Sequence, residues 1–243
     1  MKPKGRERMK TLQLQITLLS HTLIGSGEGF GTVIDTDVVF DDVGIPFIPA
    51  KRVKGCLKDS AEDVKKMFND SGIEGSLNML GTFGEIGKEF DEHGEKICQA
   101  TYSNLTIVEY EANKQWLKYL SDKATYGNVL SKETIMNTFT TIRQQTAIDE
   151  NGVAKAHSLR TIRVVKKGYT FYGDIQIDSD EKKIVEIVET LALACLNLRR
   201  IGTKRNRGFG EVACKLFDTQ NNTDVIPSMM KKLEGLCKDS SIG

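Results

Sequence analysis

Three basic runs and two glycine-rich stretches carry the chemistry legible in this sequence. Residues 199–207, RRIGTKRNR, hold five cations and no acid. Residues 51–58, KRVKGCLK, and 160–167, RTIRVVKK, hold four cations each, again without an acid. The first run leads into Gly208-Phe209-Gly210. Glycines there let a backbone approach a phosphate and present its N–H groups, Lys204, Arg205 and Arg207 neutralise phosphate oxygens, and Phe209 offers a face to a base. A polyanion such as a nucleic acid is the matching ligand, although the chain as a whole carries a formal net charge of only +1. The balance comes from segregation: Asp35, Asp37, Asp41 and Asp42 cluster in one segment, and Glu85, Glu89, Asp91, Glu92 and Glu95 in another.

Other chemistries fit less well. The stretch Gly25-Ser26-Gly27-Glu28-Gly29-Phe30-Gly31 has glycines at alternate positions, no Gly-Lys-Ser/Thr after it and no helix directly behind it, so it is a packing turn rather than a nucleotide fingerprint. Arg207–Val212 partly matches the RNA-recognition-motif signature, but Glu211 and Cys214 stand where aromatics are required. His21, His93 and His157 are dispersed. His21, at the end of a strand, is a candidate general acid/base, with a structural role as the alternative. Five scattered cysteines with no C-x-x-C pair fit reduced thiols in a cytoplasm and no structural zinc. No run approaches the roughly 20 apolar residues of a membrane span, and the N-terminus lacks the apolar core of a signal peptide.

These residues need a scaffold, and 243 residues with 39% hydrophobic content can bury about 70% of their unfolded surface. Leu12, Leu14, Ile16 and Leu18 alternate with polar residues and predict a strand. Gly44–Pro49 is extended, and Val53, Leu57, Ala61, Val64 and Met67/Phe68 predict a helix from Pro49 on. Residues 70–98 read as an irregular insertion, 101–108 as a second strand, and 112–143 as weakly patterned. Segments 145–153 and 154–165 flank Asn151-Gly152 and predict a charged projecting hairpin. Residues 169–177 predict a strand, Asp180 a cap, and Ile184, Ile187, Val188, Leu191, Cys195 and Leu198 one helix face that ends at Gly202. Residues 209–217 predict the last strand. The order is that of an α+β, ferredoxin-like (RRM-like) βαββαβ palm with long insertions. The first ten residues and the tail from Thr219 are expected to be mobile or peripheral.

Two linked features of this sequence resemble the RAMP superfamily of CRISPR-associated proteins. One runs from Gly25 through Ile34-Asp35 and Gly44-Ile45-Pro46-Phe47-Ile48-Pro49 to Lys51–Gly55; the other is the loop Gly202–Gly210. The stretch Arg143–Gly173 looks like the thumb hairpin of type III backbone subunits. The resemblance implies a single RAMP domain over 1–243. Its palm core spans about 11–69, 100–111 and 168–218, with insertions at 70–98 and, thumb-like, about 112–167, and a peripheral tail at 219–243. It further implies a Cas-seven-like backbone subunit that stacks in several copies along a guide crRNA, with complementary target RNA and other effector subunits as partners and no membrane. Guide contacts would fall to Lys51, Arg52, Lys54, Arg143, Arg160, Arg163, Lys204, Arg205, Arg207, Gly208 and Phe209. Such contacts go to the RNA backbone, since a guide must vary in sequence and base pairing supplies specificity. Asp35, with Asp37 as the alternative carboxylate, stands where type III members cleave target RNA, with a divalent cation (Mg or Mn) if cleavage occurs. Two alternatives remain open. One is a non-cleaving scaffold served by a separate nuclease subunit; the other is a monomeric guide-processing ribonuclease using His21.

Overall fold

A computed structural model of the chain describes residues 8–25, 34–73, 75, 77–123, 126, 129–147, 149–153, 155 and 158–239. Gly27, Gly29, Phe30 and Gly31 of the first glycine stretch, and His157, lie outside the described residues. The alternating strand is β1, Arg8–Leu18, whose Leu12, Leu14, Ile16 and Leu18 are at most 1% exposed. Its polar residues Gln13, Gln15 and Thr17 face the other way, half-buried. Around β1 run β2 (Ala100–Tyr102), β5 (Thr170–Ser179), β6 (Val212–Asp218) and β7 (Thr223–Asp224), in the order β2-β5-β1-β6-β7, antiparallel throughout.

Helices α1 (Ala50–Ser71) and α5 (Glu181–Asn197) cover the apolar face. Pro49 precedes α1 in an extended conformation, as the sequence pattern predicts, and Gly72, in the left-handed region, closes the helix at Ser71, inside the stretch read as irregular. The two helices are fastened by Ser60, whose buried Oγ donates to the Ala194 carbonyl at 2.8 Å, and by Asn197, which donates to the Ser60 carbonyl. Asp180 caps α5 by accepting from the Lys183 N–H. The helix ends at Asn197 rather than at Gly202, because the chain turns extended at Leu198.

The insertions are more ordered than the sequence pattern suggests. A short helix α2 (Met79–Phe83), capped by the Asn78 side chain, lies in 70–98. Residues 112–143 contain α3 (Tyr110–Ser121), α4 (Lys132–Phe139) and β3 (Thr140–Gln145). No α3 residue is fully buried: Tyr110 and Leu117 pack half-buried on the small cluster of Val43, Ile45 and Ile135, while Trp116 and Tyr119 stay exposed. β3 pairs with β4 (Arg160–Val165), so the ladder begins earlier and is shorter than the expected 145–165 hairpin. A turn organised by the Asp149 carboxylate, with Gly152 at positive φ, sits at the far end. The hairpin base is no free arm. Ile162, Val164 and Val165 are fully buried, and Val165 exchanges both backbone hydrogen bonds with Thr22. Near the termini, Arg8–Lys10 pair with β5, and α6 (Ile226–Asp239) packs on the body through buried Ile226 and Met229.

Burial sets the scale of the stabilising terms. Leu57→Ala removes a fully buried side chain between α1 and the sheet and is expected to cost about 2–5 kcal/mol. Trp116→Ala, at 61% exposure, should stay within about 0.5 kcal/mol. Urea unfolding of the two variants checks the contrast.

Candidate nucleic-acid interface

The loop from Gly202 to Gly210 leaves α5 and returns into β6, and its shape is fixed by two glycines. Gly202 has φ +81° and lies so close to the chain that an added Cβ would sit 2.4 Å from the Leu23 carbonyl oxygen. Gly210 has φ +80° and a Cβ there would meet the Ile201 carbonyl oxygen at 2.0 Å. Backbone bonds close the base of the loop: Ile201 N–H to Gly210, Gly210 N–H to His21 and Thr203 N–H to Leu23. Between the glycines a single turn of 3-10 helix, Arg205–Arg207, projects its cations, and Arg205, Arg207 and Gly208 are exposed. Glycine is required at both pins because no side chain fits either position.

Helix α1 starts beside this loop. Arg52 and Gly202 line one crevice with Cys56. Burial pushes the Cys56 thiol pKa up, while the Gly202 backbone, Arg205 and Arg52 act in the opposite direction. Two cationic elements far apart in sequence therefore meet at Cys56. Lys51 is exposed on the first turn of α1, which carries no acid. Lys54 departs from the expected phosphate role: it is half-buried, with Nζ 3.4 Å from Cys98 Sγ and 5.8 Å from the Tyr102 ring centre, on the side toward α2 and β2.

The turn-side end of the β3–β4 ladder forms the opposite wall. Lys204 Nζ donates to Gln145 Oε1 at 2.9 Å. On one side of this bridge Gln145, Thr146, Ala147, Ser158, Arg160, Lys204 and Arg207 line a cleft of about 330 Å³. On the other, Arg143, Gln144, His21, Lys167, Gly208 and Phe209 line one of about 400 Å³. Arg143 and Lys167 are exposed, and Phe209 is half-buried against the core. Gln145 and Lys167 were absent from the sequence-based set. A neutral glutamine carries no signal, and Lys167 was visible only as one charge in a run.

Asp35 lies at the edge of the first cleft with its side chain 37% exposed. Its Oδ2 accepts from the Thr161 N–H at 2.7 Å, its own N–H donates to the Thr161 carbonyl, and its Oδ1 accepts from Arg160 Nη1 at 3.2 Å. The Thr161 N–H foremost, and then Arg160, hold its pKa below the ordinary carboxylate value. Asp37 and Arg163 differ from their expected roles. Asp37 is 3% exposed, with Oδ2 3.4 Å from Arg163 Nη1 and Oδ1 accepting from the Val38 N–H. Arg163 is 6% exposed and lies over the Phe40 ring. This buried pair ties the Asp35 segment to β4, and its burial leaves neither group a surface for RNA. Asp41 is likewise structural, its Oδ1 accepting from the N–H groups of Val43, Gly44 and Ile45. Phe47 is half-buried between its prolines, in line with a packing role.

Among the described residues, no group of three or more His, Cys, Asp or Glu side chains could hold a metal ion. A divalent ion at this edge would find Asp35 as its protein donor and take the rest from RNA phosphate and water, the usual manner for Mg²⁺. No helix among the described residues is long and apolar enough to cross a membrane.

An antiparallel sheet backed by two helices, with a glycine-pinned basic loop beside a basic helix start, defines an α+β protein with a cationic edge. The family is known as well: the RAMP superfamily matches residues 15–213, and the chain belongs to it. Solved structures share the fold. A chain of the type III-B Cmr-beta complex bound to cognate target RNA superposes with a TM-score of 0.58 at 14% identity, covering 85% of this chain and 96% of that one. A chain of the apo Cmr-beta complex gives 0.57 at 16% identity, covering 86% and 98%. A search of curated proteins gives no match.

Two outcomes follow from the site. Arg163→Ala removes the cation beside the buried Asp37 and should cost about 3–5 kcal/mol in urea unfolding. His21 is held neutral by burial, with Arg143 next, and its Nδ1 accepts from the Lys167 N–H at 3.3 Å. Its folded pKa lies below its unfolded value of about 6.5, so its contribution is fully present above that pH and is lost as pH falls through the folded value. His21→Gln should flatten the stability–pH curve below about pH 6.5.

Proposed function

We propose that this chain is a guide-RNA-binding backbone subunit of a type III CRISPR effector, stacking in several copies along the guide and cleaving paired target RNA through Asp35. The observation that carries the reading is the meeting of Arg52, on the first turn of α1 next to Lys51, with Gly202 and Arg205 around Cys56, in the same loop that carries Lys204 and Arg207. Family membership supports it, and so does the printed description of one structural neighbour as RNA-bound. The strand order β2-β5-β1-β6 with α1 and α5 on one face corresponds to a ferredoxin-like βαββαβ palm, with the β3–β4 hairpin as its thumb.

In this reading the guide phosphates lie along α1 and the glycine-rich loop. Arg160 and Arg143 extend the track onto the turn-side half of the hairpin, and Phe209 with Gly208 meets a base. The interaction is electrostatic and independent of sequence. Asp35 would orient the 2′-hydroxyl of a target nucleotide for in-line attack on its 3′-phosphate, forming the 2′-O–P bond as the P–O5′ bond breaks, with the hydroxyl proton passing to water and the leaving 5′-oxygen taking one from water. A carboxylate held below its ordinary pKa is a weak proton acceptor, so positioning and charge are its stronger contributions in this state. A divalent ion bound there would supply Lewis-acid stabilisation of the phosphoryl oxygen.

One observation favours a second reading, a scaffold whose target is cut by another subunit: Asp35 is paired with Arg160 in the RNA-free chain. Asp35→Ala in assembled complexes separates the two. Loss of target cleavage with retained target binding supports catalysis, and undiminished cleavage supports the scaffold. For the guide, Lys204→Ala with Arg205→Ala should weaken single-stranded RNA binding and reduce the log–log salt slope by about 1.4, the value for two phosphate contacts. An unchanged affinity and slope would contradict the RNA-binding reading.

A further inference from the structure

We propose that Arg160 is a positioning residue that neutralises Asp35 in the RNA-free chain and exchanges this carboxylate for a phosphodiester when RNA enters the cleft. The inference rests on the RNA-binding reading above and adds a change of state to it.

Three features of the geometry lead there. First, the Arg160–Asp35 contact is a single one, Nη1 to Oδ1 at 3.2 Å, made by an arginine side chain that is 64% exposed. Exposed pairs of this kind are weak, and the guanidinium keeps further N–H donors for another oxyanion. Second, the same side chain lines the cleft with Lys204 and Arg207. The Lys204 pKa is lowered by burial first and then by Arg207, with Arg160 adding to the effect, and Asp35 is the carboxylate that opposes it. Three cations thus share the cleft, with Asp35 paired to one of them and felt by a second. A phosphate oxygen pair arriving in this cleft relieves their mutual repulsion, offers Arg160 a bidentate acceptor and repels Asp35. Third, Asp35 does not depend on Arg160 for its place. Its backbone and Oδ2 are both tied to Thr161, so Oδ1 stays at the cleft edge once the guanidinium leaves.

Oδ1 is therefore neutralised by Arg160 in the free chain and loses that partner when a phosphate takes the guanidinium. A 2′-hydroxyl or a cation then meets an unpaired Oδ1 where RNA is seated. The paired carboxylate of the free chain and a working carboxylate in the complex become two states of one residue.

A double-mutant cycle on RNA affinity tests this. The full-length chain and its Asp35→Asn, Arg160→Gln and doubly substituted forms are titrated with a 2′-O-methylated single-stranded RNA, which cannot be cut through its 2′-oxygen. Fluorescence anisotropy is the readout. Asparagine still accepts from the Thr161 N–H, and the loss of like-charge repulsion between Asp35 and RNA is common to both backgrounds. Asp35→Asn should therefore tighten RNA binding more in the Arg160 background than in the Arg160→Gln background, by a factor of about two to five. Arg160→Lys should restore part of the difference. An equal tightening in both backgrounds would overturn the exchange while leaving RNA binding intact. Salt-insensitive, negligible binding by the unsubstituted chain would overturn the RNA-binding reading, and the exchange with it.

Discussion

Like charge crowded onto one edge is the constraint on which the rest of this structure depends. The N-terminal end of a helix carries a partial positive charge, and acids there are stabilising. α1 instead opens with Lys51, Arg52 and Lys54 and has no acid in its first turn. The loop beside it adds Lys204, Arg205 and Arg207. Nothing in the local helix electrostatics favours this arrangement, and a polyanion laid across it, as proposed above, would relieve the repulsion.

Holding such an edge together falls to the apolar core and to backbone contacts. β1, α1 and α5 share one buried cluster, and Ser60 and Asn197 lock the two helices in register. Gly202 and Gly210 then pin the loop, the first against the segment that follows β1 and the second against Ile201, with backbone hydrogen bonds that charge repulsion cannot easily open. The acids left over from this segregation have their own structural work. Asp37 with Arg163 fastens the segment after the first glycine stretch to β4, and Asp41 gathers three N–H groups and the Tyr110 hydroxyl. Of the four aspartates in that segment, Asp35 alone combines exposure with a place beside the cleft cations.

The parts of the fold that were legible in the sequence are those whose burial is one-sided and continuous. The Leu12–Leu18 alternation and the Ile184–Leu198 stripe both reached the core as read. α3 was hard to read because its inner face is only half-buried, through Tyr110 and Leu117, while the large apolar residues Trp116 and Tyr119 point to solvent and blur that pattern. The hairpin was misplaced in register because its tip turn is built on Asp149, while the pairing is set by burial of Ile162 and Val164 against the body. In the site, a sequence shows cations but not their neighbours. Arg163 reads the same as Arg160 in RTIRVV, yet alternation on β4 sends one inward to Asp37 and leaves the other outside. Gln145, which bridges Lys204, has no charge to announce it.

Hydrogen–deuterium exchange of the full chain with and without single-stranded RNA tests the shared groove most directly. Protection by RNA should concentrate at residues 50–56, 143–147 and 202–209 together. Protection confined to the polar outer face of the sheet, at 170–176 and 213–217, with those three segments unchanged, would contradict it.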